Sequence, residues 1–144
     1  MKNIRFNPKI DKLFAIIFIP TVTLTACVTV IPSLFSLVTL WITLPTLIFV
    51  LYFLISPLFG YVELRENSVF IKYGFILKKE IPYEKIRGAF LERSFYSQSM
   101  MSLKNSFEHV NIKYNSFDVT TVSVKENQEL INLLNLKISL PRAL

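Results

Sequence analysis

Few side chains in this sequence can do covalent or metal chemistry. Histidine occurs once, His109, and cysteine once, Cys27. A general base needs a positioned partner within hydrogen-bond reach. His109 falls in an alternating stretch, with Val110, Ile112 and Tyr114 set against His109, Asn111 and Lys113. That alternation predicts a strand with the histidine facing outward to solvent. A zinc site needs a near-tetrahedral set of nitrogen, sulfur or carboxylate ligands. One histidine and one cysteine inside an apolar run do not supply it, so neither metal nor cofactor is expected. Ser94, Ser97, Ser99 and Ser102 cluster without the glycine-flanked turn of a serine nucleophile and read as a polar loop. Gly60, Gly74 and Gly88 are too far apart to cradle a phosphate. No catalytic residues are assigned, and the chain is not expected to be an enzyme.

What remains is recognition chemistry. Phe95, Tyr96, Met100, Met101 and Phe107 surround the serine-rich segment. Buried, they would fill a barrel interior. Exposed, they would form an apolar patch for a peptide or a partner helix, and they are the candidate partner-binding residues. Lys78, Lys79, Lys85 and Arg87 are the candidate contacts for anionic lipid headgroups. The plain alternative for them is a solvated face of mixed sign, which the pairs Lys79-Glu80 and Glu84-Lys85 favour.

These residues follow a segment of a different kind. From Leu13 to Val62 the chain has no charged residue, a run of fifty positions. One helical span needs about 20 residues to cross ~30 Å of hydrocarbon, so the run suits two. The spans are expected at about 13–31 and 34–55, with a turn at Pro32-Ser33 and an exit marked by Pro57 and Gly60. Pro20 and Pro45 fall inside the spans, where Thr21, Thr23, Thr25 and Thr43 are candidates to satisfy the carbonyls the prolines release. Neither span holds an ionisable side chain of the kind that marks a transport pathway, so two kinked anchors are expected.

Charge then sets orientation. Residues 1–12 hold four cations (Lys2, Arg5, Lys9, Lys12) and one anion, Asp11. The turn holds no cation, and Arg65 and Lys72 follow the second span. Lysine and arginine near span ends mark the cytoplasmic side, so both termini are expected there and the turn outside. The net charge of +6 splits evenly between the basic arm and residues 63–144, which hold twelve cations and nine anions. A nucleic-acid binder would concentrate its excess on the folded domain, so no nucleic-acid partner is expected. One alternative is open. Leu24-Thr25-Ala26-Cys27 has the form of a lipobox, which would make residues 1–26 a cleaved signal and Cys27 a lipidated terminus. Against it, the apolar run continues through Val28-Thr29-Val30-Ile31, and Asp11 is unusual in a basic leader. In both cases the second span returns the chain to the cytoplasm.

Residues 61–124 divide into short alternating segments separated by Glu66-Asn67, Gly74, the corner Pro82 to Lys85, and Asn115-Ser116. Six or seven antiparallel strands are expected, with 94–105 either a strand or a loop. The period then changes, and Leu130, Ile131, Leu133 and Leu134 form the apolar face of a helix over about 125–136. Ser123 and Glu126 have capping-box spacing. A small sheet followed by one amphipathic helix is best closed by curling into a partial barrel plugged by that helix. The fold class is therefore α+β: a basic arm (1–12), a transmembrane helical hairpin (13–59), and an antiparallel β-barrel or sandwich capped by a C-terminal helix (60–140).

That layout resembles small two-span membrane proteins of Gram-positive bacteria with a PH-like domain. The resemblance rests on Val69-Phe70-Ile71-Lys72-Tyr73-Gly74, on Ile81-Pro82-Tyr83-Glu84-Lys85-Ile86, on Ser99 to Leu103, and on Val122-Ser123-Val124-Lys125-Glu126. Val124 stands where relatives commonly place a proline. The resemblance implies a non-enzymatic module in the plasma membrane that touches lipid and recognises a peptide or protein. Relatives include proteins of self-immunity against a membrane-active bacteriocin. A structural subunit of a membrane complex and a sensor of anionic lipid are the alternatives, and a homo-oligomer is compatible with the layout.

Overall fold

The computed structural model describes residues 3–99 and 102–139. Strand β1 (Ile4–Phe6) precedes helix α1 (Lys12–Ser33), which Asp11 caps by accepting from the Leu13 N–H. Helix α2 (Leu37–Ile55) packs against α1, and a single 3₁₀ turn, Ser56–Phe59, leads into the sheets. The turn between the helices lies at 34–36 rather than at Pro32-Ser33. Leu34 and Phe35 donate back to Ile31 and Pro32, closing the end of α1. The threonine hydroxyls do not reach the carbonyls four residues before Pro20 and Pro45. Thr21, Thr23, Thr25 and Thr43 donate to Ile17, Ile19, Thr21 and Thr39, so each satisfies itself within its own helix. By length and composition α1 is long and apolar enough to cross a membrane, and the window Ala15–Pro32 has no residue buried by the rest of the protein. Among the described residues the apolar run of α2 is shorter, Leu37–Tyr52.

Two four-stranded sheets follow. The first has the order β1-β2-β3-β4, with β2 (Tyr61–Leu64), β3 (Ser68–Lys72) and β4 (Lys78–Pro82) antiparallel throughout. The second holds β5 (Ile86–Arg93), β6 (Ser102–Leu103), β7 (Glu108–Tyr114) and β8 (Asp118–Val122) in the order β5-β7-β8-β6. Alternation along each strand delivers one apolar row inward: Val62 and Leu64, Val69 and Ile71, Val110 and Ile112 are all buried. Helix α3 (Asn127–Ser139) lays Leu130, Ile131 and Leu134 onto β5 and β7. Burial of each such side chain contributes about 1.5–3 kcal/mol.

Three features depart from the expectation. First, the basic arm is not free. Ile4, Arg5 and Phe6 pair with Leu64, Glu63 and Val62, and Phe6 is 2% exposed. The chain from Asn7 to Asp11 is then fastened to the far end of the domain. Lys125 N–H donates to Asn7 O, Lys9 N–H to Ser123 O, Asp11 N–H to Asn105 O, and Lys9 Nζ lies 3.0 Å from Glu108 Oε2. Second, β6 runs parallel to β8, so the second sheet is mixed. Third, α3 starts at Asn127, whose Oδ1 accepts from Val124 N–H at 3.0 Å. Ser123 does not act as a capping-box serine because its backbone is bound on both sides, by Leu103 O and Lys9 N–H.

Candidate functional site

The fourteen-position stretch 94–107 between β5 and β7 is too long for a plain turn, and its polar residues tie it down. Ser94 N–H donates to Phe107 O at 3.1 Å, closing the base. Lys104 Nζ donates to both Ser94 O and Tyr96 O at 2.6 Å, and Ser94 Oγ also reaches Tyr96 O at 2.9 Å. Charge-assisted bonds of this kind are the stronger ones. They arrest the backbone on either side of Phe95 and send its ring and that of Tyr96 outward, 65% and 68% exposed. Phe107 is half-buried, its ring 5.9 Å from that of Phe95. Met100 and Met101 lie outside the described residues.

Phe95 does not stand alone. It faces Ile17, Phe18 and Thr21 across an apolar groove of about 210 Å³. One wall is the loop and the other is the first turns of α1. Any occupant must therefore meet the helix as well as the domain.

Beneath the loop lies a polar cluster that alternation alone did not reveal. His109, Asn111 and Thr121 point away from the barrel core, as the pattern predicts, yet all three are buried. The expectation of a solvent-facing His109 is corrected by the loop, which covers that face of the sheet. Glu92 Oε2 accepts from Asn111 Nδ2 at 2.5 Å and from Gln98 Nε2 at 3.0 Å. Thr121 Oγ1 donates to Asn111 Oδ1 at 2.7 Å. His109 Nδ1 lies 3.0 Å from Phe107 O, so that nitrogen carries the proton. Its Nε2 has no partner among the described residues. Desolvation lowers the His109 pKa most; the Phe107 carbonyl opposes this, Lys104 adds to it, and Glu92 opposes it. Lys104 is likewise lowered by desolvation, with Glu92 working the other way. These groups hold the loop to the sheet.

The cations singled out in the sequence do not form one cluster. Lys78, Lys85 and Arg87 are exposed. Lys79 shares the inward row with Ile71 and Ile81, and its ammonium is hydrogen-bonded to Tyr114 Oη and lies 4.5 Å from that ring. Arg87 borders a separate hollow with Lys113 and Phe117.

With two sheets, a capping helix and the loop bearing Phe95 in place, comparison is informative. Residues 60–137 match the bacterial PH domain family. The chain belongs to that family. No curated relative and no solved structure matches it. PH domains are in general non-catalytic binding modules, which agrees with a site made of aromatic surface. The match begins at Gly60, so β1 lies outside the matched stretch although it completes the first sheet.

Proposed function

We propose that this PH domain is a partner-binding module held on the cytoplasmic face of the plasma membrane by a two-span helical hairpin. The observation that carries the reading is the pairing of β1 with β2. It brings both ends of the helical segment into one sheet, so the chain between them crosses a bilayer an even number of times. The 19 residues of α2 rise about 28 Å, close to a hydrocarbon core. Arg5, Lys9 and Lys12 on one side and Arg65 and Lys72 on the other agree with cytoplasmic ends. Cleavage ahead of Cys27 would remove β1 and expose Val62 and Leu64, so the uncleaved chain is the form this fold supports.

The groove between Phe95 and α1 is the binding surface in this reading. Its helical wall sits at membrane depth, so its partner is itself membrane-resident: an amphipathic peptide or the span of another protein. Phe107 backs Phe95. Self-immunity against a membrane-active bacteriocin is the most concrete form, and two-span relatives of Gram-positive bacteria are its context. Expression in a sensitive strain should raise the inhibitory concentration of a cognate peptide, and Phe95→Ala with Tyr96→Ala should abolish the rise without lowering the protein's level. An unchanged inhibitory concentration across a panel of membrane-active peptides contradicts the immunity reading.

A further inference from the structure

The β3–β4 turn carries a second surface, on the side of α2 rather than α1. Phe75, Ile76 and Leu77 are consecutive and exposed at 50%, 73% and 40%. The turn is not loose. Phe75 N–H donates to Ser56 Oγ at 3.2 Å, and the Phe75 ring lies 4.8 Å from Phe59 and 6.1 Å from Tyr52. Tyr52 lies in the last turn of α2 and Ser56 follows that helix directly, so the tip is fixed beside its C-terminal end.

Directly behind the tip, the outer face of the first sheet is cationic. Lys72 and Lys78 are cross-strand partners, and like charges placed opposite one another are unfavourable unless an anion joins them. Beside them Arg5 lies 3.8 Å from the centre of the Tyr61 ring and Lys72 5.8 Å from it. Among the described residues none of the three cations forms an ion pair. Glu63 is the cross-strand partner of Arg5, but its carboxylate is engaged by Arg65, which also pairs with Glu80 further along the strands.

We infer that the β3–β4 hairpin is a second membrane contact, selective for anionic lipid. Phe75, Ile76 and Leu77 enter the acyl boundary, and Arg5, Lys72 and Lys78 around Tyr61 hold the headgroups of the same leaflet. Apolar tip and cations succeed one another along one strand pair in the order of a bilayer's own layers. The inference rests on α2 being a span. It sets the domain's tilt: one edge is fixed to lipid and the Phe95 groove is left open on the other.

The test uses the full chain in a Cys27→Ser background, with an environment-sensitive dye at Ile48→Cys in α2 or at Ile76→Cys in the turn. Each protein is reconstituted into nanodiscs of phosphatidylcholine with about 30% phosphatidylglycerol, one or the other lipid brominated, since a well-placed cation is worth about fivefold at an anionic surface. The dye at Ile48 is quenched by either brominated lipid. The dye at Ile76 is quenched several-fold more by brominated phosphatidylglycerol, and Lys72→Gln with Lys78→Gln removes that preference while quenching persists. An unquenched Ile76 dye beside a quenched Ile48 dye overturns the contact alone, and a preference that survives both substitutions overturns the headgroup assignment. An unquenched Ile48 dye overturns the span, and the contact with it.

Discussion

Phe6 lies directly across the sheet from Val62, although more than fifty residues separate them in sequence. Both are buried, at 2% and 0% exposed. The whole helical hairpin is thus a loop inserted between two adjacent strands, and the PH domain is assembled from both of its ends.

Phe6→Ala should destabilise the domain by about 3–5 kcal/mol, since a large buried aromatic leaves a cavity that strands cannot close. Guanidinium unfolding in detergent checks this. Intact mass of the membrane-extracted protein should also show residues 1–26 present.

The second joint of the helices is equally specific. Gly74 packs against Ser56, and a Cβ there would come within 2.8 Å of both Ser56 Cβ and Ser56 O. Gly74→Ala must push the turn away from α2, at about 1–3 kcal/mol. Ser56→Gly should recover only part of that loss, because the backbone contact remains. A proteolysis midpoint unchanged by Gly74→Ala would show that the turn is not seated on α2.

His109 makes stability depend on pH in a defined direction. Its folded pKa lies below the ordinary 6.5 because burial disfavours the imidazolium. The unfolded chain therefore takes up a proton first as pH falls. The contribution is complete above about 6.5 and is lost progressively as pH drops toward the folded value. Thermal melts between pH 7.5 and 5 should fall with acidification in the wild type, and His109→Gln should flatten the slope.

The sequence carried the frame of this fold in patterns that a single strand or helix can hold. Period-two alternation located β2, β3, β7 and β8, and the shift to Leu130, Ile131 and Leu134 located α3. The uncharged run located the helices. What escaped was decided by partners distant in sequence. Ile4, Arg5 and Phe6 are too few to show a period, and only the vacant edge of β2 makes them a strand. His109 follows the outward parity of its strand, but parity does not report that Lys104 and Phe107 pack beside it. The same holds for the site. Phe95 and Tyr96 were legible as an aromatic cluster, whereas the α1 wall of the Phe95 groove and the Lys104 clamp depend on tertiary packing. Lys78 was legible as a cation, but Arg5 and Lys72 join it only through the β1-β2-β3-β4 register.

The central claim is that one domain on the cytoplasmic face holds both ends of a two-span hairpin. Single cysteines at Asn3, Ser36 and Lys85 in a Cys27→Ser chain, exposed to a membrane-impermeant maleimide, test it most directly. In intact cells only the cysteine at position 36 should react, with those at 3 and 85 reacting after lysis. Labelling at position 85 or position 3 from outside intact cells contradicts the account.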